Sequence, residues 1–279
     1  MNYQWYPGHM TKAKRQMQED IKLIDIVVEI TDARIPLSSR NPDIDEIGKN
    51  KFRLVILNKS DLADESLTKQ WIEFFKEKGY SALSIDSRRG NVIKPIQTAI
   101  MDACAEKIER DKKRGIKFRP IRAMVVGVPN VGKSTLINTL AKKAVAKTGN
   151  KPGVTKGKQW VRLAKNIELL DTPGILWPKF EDKAVGERLA MTGAIKDDIL
   201  NIEELVLLLM DHIRENYPGY IGRRYEVEET GTSVELLERI AVRRGCVKKG
   251  NETDYVKAAD IILDEFRAGT IGRITLEKP

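Results

Sequence analysis

The sequence predicts an α/β fold, a mostly parallel sheet with helices on both faces, followed by an all-α region. Three observations carry this. Over roughly the first 178 residues, short apolar runs rich in β-branched side chains alternate with helical patterns, the mark of βαβ units. A glycine-rich G-x-x-x-x-G-K-[ST] segment, residues 127–134, lies between one such run and a helical pattern. Beyond Pro178 the strand-like runs stop and only helical periodicity remains.

The expected strands are residues 26–31, 52–57, 80–85, 121–128, 160–163 and 167–170, each a short run rich in apolar residues. Between them, apolar spacing of three and four residues predicts helices over 11–24, 67–78, 92–114 and 133–141. Further on, helices are expected over 201–216, 233–244 and 253–268. The second opens on the capping box Thr232-Ser233-Val234-Glu235 and stops at Gly245, and the third stops at Gly269. The chain therefore divides into an α/β domain, 1–180, and a helical domain, 181–279.

Composition bounds the rest. With 279 residues, 41% hydrophobic and 32% charged, the chain reads as a soluble globular protein with a real core. No apolar run approaches the ~18 residues of a membrane span, and the N-terminus lacks the apolar centre of a signal peptide. Two cysteines, Cys104 and Cys246, cannot frame a disulfide scaffold or a four-ligand zinc site, so packed thiols in a reducing cytoplasm are expected. The net charge of +9 is uneven. Residues 195–279 carry 13 Lys/Arg against 17 Asp/Glu, which leaves 36 basic and 23 acidic residues on 1–194. From Leu136 to Ile167 stand Lys142, Lys143, Lys147, Lys151, Lys156, Lys158, Arg162 and Lys165 with no acid. Such a run is an ordinary solvated face or a polyanion contact; uncompensated cations repel one another, and nucleic acid is the natural partner that relieves them.

In the segment Gly127-Val128-Pro129-Asn130-Val131-Gly132-Lys133-Ser134-Thr135, the glycines let backbone N–H groups curl around phosphates. Lys133 reaches the outer phosphates, and the Ser134 hydroxyl ligates Mg²⁺. The helix N-terminus adds partial positive charge. Asp171-Thr172-Pro173-Gly174 closes an apolar run 38 residues after Lys133. There Asp171 is placed to hold Mg²⁺ through water, and the Gly174 N–H to meet the γ-phosphate. Between them, Lys151-Pro152-Gly153-Val154-Thr155 offers Thr155 as a second hydroxyl on Mg²⁺, ordered only by a γ-phosphate; a plain mobile loop is the alternative.

A base reader lies far upstream, in Asn58-Lys59-Ser60-Asp61 at the end of a predicted strand. The guanine edge carries an N1–H and an amine that one carboxylate, Asp61, accepts together; adenine would leave that carboxylate unsatisfied. Asn58 is expected to bond the base and tie neighbouring loops, and the Lys59 stem to pack over the ring. N-K-x-D is also a common surface turn, but open α/β sheets bind ligands at such strand ends. A second strand end, Asp86-Ser87-Arg88, is expected to close over the base through Ser87 and Arg88.

These segments resemble the five elements of a translation-factor-type GTPase, running here in the order 4–5–1–2–3, as in the circularly permuted GTPases. Further segments look like the ribosome biogenesis GTPase A family. They are Trp5-Tyr6-Pro7-Gly8-His9-Met10, Asp32-Ala33-Arg34-Ile35-Pro36 with Ser39-Arg40-Asn41-Pro42, and Gly272-Arg273-Ile274-Thr275-Leu276-Glu277. The resemblance implies a circularly permuted P-loop GTPase domain plus a C-terminal all-α domain. It implies GTP and GDP as ligands, and a cytoplasmic factor acting late in large (50S) ribosomal subunit assembly. The implied partners are the subunit precursor, its rRNA and ribosomal proteins, with particle-stimulated hydrolysis and a monomer off the ribosome. Where many GTPases place a water-orienting glutamine after the sensor glycine, this chain has Ile175 and Leu176, which cannot hydrogen-bond water through their side chains. His9 is the candidate catalytic group, because an imidazole positions or deprotonates water near neutral pH. His212, inside a helical pattern, reads as structural. In related GTPases an Asn at the Asn130 position helps hold K⁺ beside the phosphates, a fixed cation opposing developing charge. Two competing readings remain: an rRNA-binding scaffold whose nucleotide is never turned over, favoured by Ile175, and an ATP-using kinase, disfavoured by Asp61.

Overall fold

The computed structural model describes residues 8–116, 119–148, 160–177, 180, 182–248, 250 and 252–279; the side chains of 8, 9, 141–148 and 199 lie outside that description. One six-stranded sheet organises the chain, in the order β3-β2-β1-β4-β6-β5. Its strands are β1 (Ile26–Asp32), β2 (Phe52–Asn58), β3 (Ser81–Ser84), β4 (Ile121–Val126), β5 (Trp160–Ala164) and β6 (Ile167–Asp171). All neighbours pair in parallel except the edge strand β5, which runs antiparallel to β6. Parallel strands covered on both faces read as continuous apolar runs, and all seven residues of β1 are buried.

Around the sheet lie α1 (Gly8–Asp20), α2 (Pro42–Ile47), α3 (Glu65–Glu77), α4 (Ile93–Ala103), α5 (Ala105–Lys113) and α6 (Lys133–Thr148). Alternation along β2 splits the core by face. Val55 and Leu57 meet Trp71 and Phe75 of α3, while Leu54 and Ile56 join the main cluster with Ile96 and Ile100 of α4. The helix expected over 92–114 is divided at Cys104. Hydrogen bonding runs on across the joint, from Cys104 N to Ile100 O and from Ile108 N to Cys104 O, so the division is a bend. Cys104 is fully buried there, and burial pushes its thiol up to about 12.

After β6 the described chain holds α7 (Lys183–Met191), α8 (Ile202–Asn216), α9 (Tyr220–Tyr225), α10 (Ser233–Arg243) and α11 (Tyr255–Ala268), with no β-pairing beyond one bridge between Val247 and Thr253. α8 packs against α7, α9, α10 and α11, burying Leu205, Val206, Leu209, Met210 and Ile213. The segment after α11 then leaves these helices and returns to the sheet. Ile274 N donates to Leu62 O at 3.1 Å and Leu276 N to Arg34 O at 2.8 Å. Trp71 Nε1 donates to Glu277 O at 3.2 Å. Glu277, also buried, accepts from Ser38 N (3.0 Å), the Ser38 hydroxyl (2.5 Å) and Arg188 Nη1 (3.3 Å).

Candidate nucleotide site

From β1 the sheet grows one way through β2 and β3, and from β4 the other way through β6 and β5. The crevice at the carboxyl ends of β1 and β4 is therefore the topological switch point, the place where open α/β sheets bind ligands. Residues 127–132 leave β4 at that point and turn into α6. The turn demands glycine: a Cβ on Gly127 would stand 2.6 Å from Ile30 O. Gly132 has φ +91°, and a Cβ there would stand 2.3 Å from Asn58 Nδ2. Asn130 also takes a left-handed φ, +59°, a conformation Asn tolerates better than most residues.

An open cavity of about 960 Å³ lies over this turn, lined by Asn130, Gly132, Lys133, Ser134, Thr135, Asp171 and Gly174 among others. Lys133 is only 8% exposed, and its Nζ donates to Asp171 Oδ1 at 2.5 Å. The ammonium and the carboxylate that the sequence assigns to phosphate and Mg²⁺ thus meet at the cavity floor, with the exposed Ser134 at its wall. The set fits a magnesium–phosphate group: backbone amides and a cation for the phosphates, a hydroxyl and a carboxylate for a hard ion. Thr172 Oγ1 anchors the sensor loop to Val125 O at 2.7 Å, and Asn41 Nδ2 donates to Ile175 O at 3.3 Å. Ile175 and Leu176 are turned into the core, 1% exposed each. A Cβ on Gly174 would lie 3.3 Å from Pro129, so sensor and phosphate loops touch.

Asn58 joins this loop to the base reader. Fully buried, it donates through Nδ2 to Val131 O at 2.6 Å and accepts from Ser87 N at 3.0 Å. One side chain thereby fixes the two strand-end segments and the phosphate loop together, the tying role expected of it. Ser87 is held again by Thr139 Oγ1 of α6, which donates to its carbonyl at 3.0 Å. Lys59 (φ +58°) sends Nζ to Asp32 Oδ2 at 2.9 Å. Burial raises the Asp32 carboxyl, but the cations Arg34 and Lys59 override that and hold it well below the ordinary carboxylate range. Asp61 Oδ2 accepts from Arg88 Nη2, while its Oδ1 is shielded from solvent with no protein donor. Every described base and phosphate candidate is therefore brought to one rim.

Thr155, with the rest of the Lys151–Thr155 segment, lies outside the described residues. His9 sits on the first turn of α1, and its side chain likewise lies outside the described residues. Sequence reasoning missed Gln16 and Asp20 of α1, which line the phosphate cavity and bond each other at 3.1 Å. Their signal was faint: Asp20 continues the buried spacing of Met10, Ala13 and Met17 on one face of α1, and the exposed Gln16 flanks it. It also missed that Asn130 Nδ2 donates to Gly193 O at 2.6 Å, joining the phosphate loop to the turn after α7.

Residues 122–240 match a family described as "50S ribosome-binding GTPase". A relative from Bacillus cereus, Ribosome biogenesis GTPase A, is 53% identical over 280 residues, covering 100% of this chain and 95% of its own. Among solved structures, GDP-bound TM YlqF superposes with a TM-score of 0.69 at 28% identity, over 95% of this chain and 99% of that one. GNP-bound YlqF from T. maritima gives 0.67 at 29% identity, over 96% and 98%.

Proposed function

The chain belongs to the ribosome biogenesis GTPase A family of circularly permuted GTPases, and on that premise we propose that it is a GTP-driven assembly factor for the large (50S) ribosomal subunit. It binds guanine nucleotide and hydrolyses GTP. The observation that carries the base assignment is Asp61, whose Oδ1 has no protein donor on the turn that Asn58 ties to the phosphate loop. The N1–H and amine of guanine supply the donors that this carboxylate lacks; adenine does not. In the GTP complex Arg88 swings off Asp61 to admit the base, and Ser87 closes beside it. The Lys59 stem, pinned by Asp32, covers the ring.

At the other end, the phosphates take Lys133 from Asp171 and rest on the backbone amides of Asn130, Val131, Gly132, Lys133, Ser134 and Thr135. Ser134, Thr155 and Asp171 would hold Mg²⁺, which would supply positive charge against the phosphates. Gly174 reports the γ-phosphate through its N–H. The buried Ile175 and Leu176 leave water positioning to another group, and His9, on the helix whose Gln16 and Asp20 line the phosphate cavity, is assigned that role. Asn130, whose Nδ2 is taken up by Gly193 O, would present its amide oxygen to K⁺. The cytoplasmic partners are a large-subunit precursor, its rRNA and ribosomal proteins, a reading supported by the names of the relatives and by the surplus of cations on residues 1–194. The protein is a monomer off the particle. Residues 1–180 act as the switch domain and 181–279 as the helical domain that contacts the ribosome.

The buried Ile175 also favours a second reading, a scaffold whose nucleotide is never turned over. Phosphate release by wild type and His9→Ala, each with and without 50S-type particles, separates these. Particle-stimulated release by wild type, reduced by about 10² or more in His9→Ala, is expected. Equal stimulation of both removes His9 from the mechanism, and no release from either supports the scaffold.

A further inference from the structure

The place of Gly272-Arg273-Ile274-Thr275-Leu276-Glu277 in the fold gives this segment a chemical task. Within the base-reading turn, residues 58–64, Leu62 N reaches Lys59 O, while Ser60 N reaches out to Ile85 O and the carbonyls of Asn58 and Asp64 accept from Ala33 and Thr68. Four of its other backbone groups are met by the segment after α11. Arg273 Nη2 donates to Ser60 O at 3.0 Å and Arg273 Nε to Ala63 O at 2.7 Å. Ile274 N donates to Leu62 O at 3.1 Å, and Asp64 N donates to Thr275 Oγ1 at 3.0 Å. Asp61 lies between the two carbonyls held by Arg273, and those bonds fix which way the turn faces.

This strap is itself anchored. Thr275 N donates to the Tyr217 hydroxyl at 3.0 Å, which donates to Thr275 O at 3.1 Å. His212 Nε2 lies 3.1 Å from the same carbonyl. A Cβ on Gly272 would stand 2.5 Å from the Tyr220 ring, and one on Gly269 would stand 2.7 Å from Leu62 Cδ2, so the strap passes where only glycine fits. Ile274 is fully buried and Thr275 nearly so, whereas Arg273 is half exposed.

We infer that residues 272–277 belong to the base-specificity apparatus, with Arg273 the positioning residue that holds Asp61 in the geometry selecting guanine. The planar guanidinium spans the carbonyls of Ser60 and Ala63 with two nitrogens at once, which an ammonium cannot do. Without it the turn keeps its sequence but loses its orientation. The carboxylate then meets N1–H and the exocyclic amine less well together.

The test uses the full chain and rests on Asp61 reading the base. GDP and IDP affinities are measured by titration for wild type, Arg273→Ala, Arg273→Lys, Thr275→Val and Asp61→Asn. IDP lacks the exocyclic amine and reports phosphate and ring contacts without the second hydrogen bond to Asp61. Wild type prefers GDP. In Arg273→Ala the GDP:IDP ratio falls by roughly tenfold, the worth of one hydrogen bond to a charged acceptor, while IDP affinity changes little. Arg273→Lys recovers part of the ratio, and Thr275→Val, which removes the acceptor for Asp64 N, lowers it independently. A merely structural loss weakens both nucleotides alike. An equal loss, or an unchanged ratio in both Arg273→Ala and Thr275→Val, overturns the inference. If Asp61→Asn itself leaves the ratio unchanged, the base assignment fails instead.

Discussion

At His212 the imidazole lies on α8 with Nε2 against the strap carbonyl of Thr275. Burial depresses its pKa below the ordinary 6.5, partly offset by that carbonyl and by Glu215, while Arg188 and Lys278 push the same way as burial. The unfolded chain therefore binds a proton over a pH range in which the folded chain does not. This group's contribution is full above pH 6.5 and is lost as pH falls through and below that value. Thermal melts from pH 7.5 to 5.0 are expected to show a falling Tm, and the fall is expected to shrink in His212→Gln. Equal falls in both proteins assign the acid sensitivity elsewhere. Lys133, Ser134, Asn58 and Asp61 were legible in the sequence because their chemistry is written in adjacent residues. Gln16, Asp20 and Gly193 were not, because each acquires meaning only from a segment distant along the chain.

Among the elements, those with caps were the most legible. α10 begins at the expected box: Glu235 N bonds Thr232 Oγ1 and Thr232 N bonds the Glu235 carboxylate. Thr232→Ala removes the side-chain half, and a loss of about 1 kcal/mol is expected by denaturant unfolding, with GDP affinity unchanged. No loss would mean that packing of Leu236, Leu237 and Ile240 sets this helix end alone. α2 escaped prediction although Asn41 caps it and Pro42 stands at its first turn. Its six residues are too few to show a period. α9, equally short, is bounded by left-handed Gly219 and Glu226, and Glu226 carries no sequence sign of that backbone. The antiparallel course of β5 was hidden for a different reason: strand direction follows from the two-residue turn Lys165–Asn166, not from apolar pattern.

For the whole molecule, the sheet was readable from apolar runs, and its permuted order from the motifs, since the base reader at 58–61 precedes the phosphate loop at 127–134. The return of residues 270–277 to the sheet was not, because periodicity says nothing about which surface a non-repetitive segment crosses. Among the described residues, the nucleotide rim reaches the helices through Asn130 to Gly193 O and through Arg34 Nη1 to Arg267 O at 3.4 Å. Arg267 in turn holds Ala190 O and Met191 O, beside Gly193. With this two-sided attachment the helices are expected to respond to nucleotide state. Hydrogen exchange over residues 200–279 on the ribosomal particle is expected to differ between GDP and a non-hydrolysable GTP analogue. Identical exchange would uncouple the helices from the switch.

The strap also has a consequence in time. Asp64 is separated from Thr275, its partner, by 211 residues, roughly 10 to 40 s of ribosomal synthesis at 5–20 residues per second. The base-reading turn emerges early, and the carbonyls of Ser60, Leu62 and Ala63 wait for their strap donors while the phosphate loop and helices α3 to α11 are made. If the strap sets guanine selectivity as inferred above, a nascent chain is expected to acquire its phosphate loop well before that selectivity.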